Sequence, residues 1–191
     1  FENKTLQLDK FELERLRNLY DLDHKYPDYP KVSARVIGKG VGNWYTTFTI
    51  DKGTNDGLAV DMNVLAGNGL VGRIVKVGPT YSEVLSIIDD TSNVSAMFLR
   101  TSDLCIVRGD RTLLEDGVLR VENIDRKALI NEGEEIVTSM VSDKYLEGIL
   151  IGYIKDISND PNNLTRSGYL EPVVDFKHLQ EVLVITSTKN K

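Results

Sequence analysis

The stretch NWYTTFTIDKGTNDGL, residues 43–58, sets the reading of everything after it. Side chains two apart share a face of an extended strand. Trp44, Thr46, Phe48 and Ile50 therefore fall on one side, and Tyr45, Thr47 and Thr49 on the other. Aromatic and β-branched residues suit a half-buried pleated surface. Asp51-Lys52-Gly53 and Asn55-Asp56-Gly57 follow as turns, because Gly, Asn and Asp tolerate positive φ. The stretch predicts a strand with Trp44, Phe48 and Ile50 turned toward a core. Tyr45 would point outward as a candidate partner surface. No nucleophile stands beside a base here.

The same texture runs on from Val32. Twelve short runs read as strands: VSARVI, WYTTFTI, MNVLA, LVGRIVKV, EVLSIID, VSAMFLR, LCIVRG, VLRVEN, EIVTS, ILIGYIKDI, GYLEPVV and EVLVITS. Turn signals separate them, with Asn68-Gly69 joining two runs directly and Asp116-Gly117 opening another. Many short strands at this spacing predict an all-β sandwich or barrel, and two units of six are more comfortable than one sheet of twelve. An internal repeat supports two units. Asn55 and Gly57 match Asn131 and Gly133, and Val60 matches Ile136 three beyond the glycine. Leu70-Val71-Gly72-Arg73-Ile74 then matches Leu150-Ile151-Gly152-Tyr153-Ile154, with four extra residues in the second loop. A mid-strand glycine lets a barrel wall bend or a neighbour come close.

Residues 1–22 differ in character: LQLDKFELERLRNLYDL has neither Gly nor Pro and is rich in helix formers. Leu6, Leu13 and Tyr20 lie seven apart and Leu16 three beyond Leu13, an a/d-like seam that Phe11, Leu19 and Leu22 widen. This reads as a helix packed on its own domain or as the end of a longer coiled coil. Pro27 and Pro30 make residues 23–31 a stiff linker. The first barrel is expected over 32–100 and the second over 101–188, the last strand being able to return to the first.

Composition narrows the function. The net charge is −6, with Lys and Arg scattered, which leaves no basic footprint for nucleic acid. No run approaches the ~20 apolar residues of a membrane span. The chain opens abruptly on Phe1-Glu2-Asn3 without an initiator Met, as a fragment would, which leaves room for an upstream anchor. The single cysteine, Cys105, sits in the apolar run Leu104–Val107 and reads as a buried thiol. His24 lies in the linker and His178 in the polar stretch Asp175-Phe176-Lys177-His178, both surface positions. There is no G-x-S-x-G, no Cys/His cluster for zinc and no phosphate-cradling glycine loop. No catalytic residue, cofactor or metal is expected.

Taken in order, Val36-Ile37-Gly38, Asn43–Gly53, Asp56-Gly57-Leu58, Asn68–Ile74, Ser86–Asp89, Ser95-Ala96, Arg108-Gly109, Gly133–Ser139 and Gly148–Gly152 resemble the β-region of the MreC family of bacterial rod shape-determining proteins. The likeness covers most of residues 32–157. The sequence departs from the family pattern after Thr138-Ser139, where Met140-Val141-Ser142-Asp143 stands in place of a glycine, and beyond residue 157.

The resemblance implies a membrane anchor, a coiled coil and two six-stranded β-barrels on the extracytoplasmic side. Those barrels are similar to the chymotrypsin-like double barrel without its triad. It further implies a non-enzymatic scaffold of wall elongation that self-associates and binds MreD and penicillin-binding transpeptidases. Leu6, Leu13, Leu16 and Tyr20 then become candidates for a dimer seam. The rival class is a serine-protease-like hydrolase on the same fold, which needs a reactive Ser or Cys beside His178 or His24.

Overall fold

The computed structural model describes residues 2–42 and 44–189, apart from the side chains of residues 2–5, 18, 19 and 22–24. The expectations for Leu19, Leu22 and His24 fall on side chains outside that description. Helix α1 spans Glu2–Lys25. It runs three residues past the expected end at Leu22, stopping where Pro27 denies the next turn its N–H.

Twelve strands follow: β1 Lys31–Lys39, β2 Thr47–Ile50, β3 Asn63–Ala66, β4 Gly69–Val77, β5 Ser82–Ser86, β6 Asn93–Phe98, β7 Leu104–Arg108, β8 Leu119–Asp125, β9 Glu135–Thr138, β10 Leu150–Asn159, β11 Thr165–Pro172 and β12 Glu181–Ile185. They close two antiparallel barrels of six, in the orders β1-β12-β3-β4-β5-β2 and β10-β11-β8-β7-β6-β9. The mainly β fold expected from alternation and turn chemistry is therefore the fold observed. Closure pairs every strand on both sides and leaves no edge.

The expected division at residue 100 is corrected. β6 belongs to the second barrel, where it pairs with β7 and β9. β12 returns to the first barrel, between β1 and β3, the course that the expectation had left open for the last strand. Alternation along β6 and β12 marks them as strands but carries no information about their partners, which are fixed by distant residues. Lys31, for instance, stands opposite Ile185.

The repeat is real in space. Started from β3 and from β9, the circuits β3-β4-β5-β2-β1-β12 and β9-β10-β11-β8-β7-β6 correspond strand for strand. Gly72 and Gly152 occupy equivalent places. A Cβ on Gly72 would lie 2.0 Å from the Leu85 carbonyl oxygen, and one on Gly152 would lie 2.2 Å from that of Glu171. Both glycines are required by the neighbouring strand's backbone.

The alignment within the repeat needs one correction. Val64, not Val60, is the counterpart of Ile136, since Val64 stands opposite Gly72 and Ile136 opposite Gly152. Val60 is exposed, whereas Val64 and Ile136 are both buried. The turn between β3 and β4 is also one residue earlier than expected. It is made by Gly67 (φ 52°) and Asn68 (φ 75°), the pair of positive angles that matches strand twist in a tight hairpin. The equivalent connection after β9 is the longer segment 139–149.

That longer segment joins the barrels. Asn63 on β3 donates from Nδ2 to the Lys144 carbonyl (2.9 Å), and its Oδ1 accepts from the Leu146 amide (2.8 Å). Tyr145 between them is buried, and burial pushes its phenol above the ordinary value. At the crossover between the barrels Arg111 reaches Asp89 (3.0 Å) and Asp90 (3.3 Å). Burial would raise the Asp89 carboxyl, but hydrogen bonds from Thr91 and the Arg111 guanidinium outweigh it and hold the group below the usual carboxylate range. The buried side chains of both barrels form one continuous cluster.

Candidate interaction surfaces

The opening stretch forms its strand later than alternation suggests. β2 begins at Thr47, with Phe48 and Ile50 buried as expected. Trp44 lies in the irregular approach and not on the strand, and it is half-buried against the shared core, not fully buried as Phe48 and Ile50 are. It reaches across to the second barrel, where its Nε1 donates to Glu115 (3.3 Å), while Lys177, from the segment between β11 and β12, sets its ammonium 4.3 Å from the ring centroid.

Tyr45 does not stand out from the surface either. It is half-buried, edge-on to Phe48 with centroids 6.0 Å apart, and the Lys39 ammonium lies 5.6 Å from its ring. Its amide donates to the Phe176 carbonyl (3.1 Å). The expected outward contact is thus largely used within the molecule. Counting two residues at a time fails where the strand has not yet begun.

The linker is firmly tied. Tyr26 is buried, and its hydroxyl accepts from the Leu150 amide (3.1 Å). Tyr29 donates to the Glu147 carbonyl (3.3 Å). The helix end is therefore fixed to the junction of the barrels by two phenols.

Along α1 the seam residues are open to solvent: Leu6 is 54% exposed, Leu13 49%, Leu16 53% and Tyr20 63%. Phe11, grouped with them in sequence, belongs elsewhere. With Leu8, Glu12 and Arg15 it forms the i, i+3, i+4, i+7 stripe that lines a groove of about 980 Å³ against the first barrel. Arg15 spans that groove, with Nε 3.2 Å from Glu181 and Nη1 donating to Gln180 (3.2 Å). This second stripe was hidden in the sequence because a heptad count picks out one seam at a time.

Catalytic geometry is not assembled at the positions considered. Cys105 is buried, and burial pushes its thiol up to about 12, which keeps it protonated. His178 Nδ1 lies 2.7 Å from Asp175 Oδ2, with both side chains well exposed. Burial would raise the Asp175 carboxyl, yet the His178 contact and the Lys177 amide lower it. Among the described residues, no serine or cysteine hydrogen-bonds to His178. Nor does any group of three His, Cys, Asp or Glu fit a metal ion among them. Among the described residues, no helix is long and apolar enough to cross a membrane.

Two closed barrels with this circuit agree with the comparisons. The family profile described as "Rod shape-determining protein MreC, barrel core" matches residues 36–186. The chain belongs to the MreC family. The cell shape-determining protein MreC of Listeria monocytogenes is 30% identical over 190 residues, covering 96% of this chain. The chain spans 62% of that relative's length. A solved MreC structure superposes with a TM-score of 0.83 at 24% identity, covering 92% of this chain and 98% of its own. The MreC from Helicobacter pylori, solved in complex with the penicillin-binding protein PBP2, shares the fold at a TM-score of 0.60 and 14% identity, covering 83% of this chain and all of its own.

Proposed function

We propose that this MreC-family chain is the extracytoplasmic part of a membrane-tethered, non-enzymatic scaffold that maintains rod shape within the wall-elongation machinery. It works by presenting surfaces to itself, to a penicillin-binding transpeptidase and to the membrane partner MreD. The observation that carries the reading is the exposed seam of Leu6, Leu13, Leu16 and Tyr20 on a helix fixed to two edgeless barrels. Closed barrels cannot recruit partners by adding a strand, so side-chain surfaces must do it. The transpeptidase is supported by the Helicobacter pylori complex of a protein with the same fold.

Burying four seam residues would contribute ~1.5–3 kcal/mol each. Association costs of ~4–15 kcal/mol take up most of that. Self-association through this helix alone should therefore be weak and concentration-dependent. Sedimentation equilibrium at high concentration tests it: the chain should show a dimer that L13D/L16D abolishes. A chain that stays monomeric throughout, or dimers unaffected by L13D/L16D, would remove the seam from the reading. Stoichiometric labelling of one serine by a fluorophosphonate would replace the scaffold with a hydrolase.

A further inference from the structure

We propose that the groove between α1 and the first barrel is a docking site for a basic amphipathic helix of a partner protein. Besides the seam, α1 presents Leu8 and Phe11 on another face, flanked by Glu12 and Arg15. At about 100° per residue, the stripe of Leu8, Phe11, Glu12 and Arg15 lies about 135° around the helix from the seam of Leu6, Leu13, Leu16 and Tyr20. A second helix packed on the seam would leave Leu8 (68% exposed) and Phe11 (70%) uncovered.

The first barrel does not cover them. The groove has an apolar floor that includes Leu179. Arg15, bridged to Gln180 and Glu181, acts as a strut between helix and wall. Its guanidinium spans the space that Leu8 and Phe11 would need to close onto that floor.

Charge identifies the occupant. Glu12, Glu14, Asp175 and Glu181 line the groove with Arg15 as its one arginine, four carboxylates to one guanidinium, and His178 lies against Asp175. Lys or Arg flanking an apolar stripe would meet those carboxylates while its aliphatic side chains cover Leu8 and Phe11. A strand is disfavoured because β12, at the wall, is already paired with β1 and β3. Helix-in-groove recognition fits an apolar patch edged by carboxylates.

This extends the scaffold reading to a particular face, and its test uses neither self-association nor cell shape. A fluorescein-labelled peptide of two Leu/Lys heptads, titrated with the chain at physiological ionic strength, should raise its anisotropy saturably. The matching Leu/Glu peptide should not. F11S and E14K alter exposed side chains and should each weaken binding about tenfold or more, whereas L13D/L16D should leave it unchanged. A photocrosslinker replacing His178 should capture the Leu/Lys peptide. Absence of binding would overturn the proposal, as would equal binding of the Leu/Glu peptide. So would F11S and E14K chains that bind as tightly as the parent, or a His178 photocrosslinker that captures no peptide.

Discussion

In the second barrel, β6 to β11 supply all six strands from one uninterrupted run of chain; in the first, β1 to β5 leave a place that β12 fills from the other end of the sequence. The place is the one β6 takes in the second barrel. There β6 runs directly into β7, whereas β1 is preceded by the linker and α1. The helix thus arrives where the sixth strand of a self-contained barrel would have come from. One circuit can therefore be completed locally or over a long loop. The long closure costs more chain entropy. The first barrel should be the one whose integrity depends on a remote segment.

The largest expected effect follows directly. Removing residues 181–191 takes away buried Val182, Leu183, Val184 and Ile185. At ~1.5–3 kcal/mol each, their loss rivals the ~5–15 kcal/mol net stability of a typical protein. Hydrogen exchange should show β1 to β5 unprotected while β7, β8 and β11 stay protected. Equal loss in both barrels would mean that they do not differ in this way.

The glycine pair probes the likeness between the barrels. G72A and G152A each force a Cβ into a facing carbonyl, and each should cost about 1–3 kcal/mol or more. Urea denaturation should give similar losses for the two. A harmless G152A beside a damaging G72A would show that the equivalence is only topological.

N63A addresses the join. It leaves the Lys144 carbonyl and Leu146 amide without their partner, at a cost of about 1–3 kcal/mol. Calorimetry should then resolve two transitions where the parent shows one. A single transition would show that the shared apolar cluster couples the barrels without Asn63.

The smallest effect is that of pH at Asp89. Its folded carboxyl lies below the ordinary range, so the stabilisation is complete above the unfolded value and is lost as pH falls through the lowered folded one. D89N should flatten the acid limb of the stability–pH curve, in the region below about pH 4, and leave neutral pH little steeper or shallower. An unchanged acid limb would assign acid sensitivity to other carboxylates.

Sequence reasoning recovered what is local. Strands that alternate, turns at Gly and Asn, and glycines Gly72 and Gly152 all declare themselves within a few residues. Burial of Phe48 and Ile50 followed from the same periodicity. What it missed is long-range. No property of EVLVI says that it pairs with KVSAR, and no property of NVSAM says which barrel it joins. Trp44 and Tyr45 were misplaced because their environment is made by Glu115, Phe176 and Lys177, far along the chain. The groove was invisible because its second wall comes from residues 174–181, which only folding brings to α1.

The register of β1 on β12 also determines how the molecule would bear tension. Lys31 faces Ile185, and Thr186 caps the Pro30 carbonyl through its amide (2.9 Å), so both ends of this ladder emerge together. A pull between the helix and the C-terminus would part the rungs one at a time, like a zipper, at low force. A pull between the helix and the second barrel would not load that end of the ladder alone. Single-molecule stretching along the two axes should find the first barrel giving way more easily in the former, which makes it a mechanical fuse.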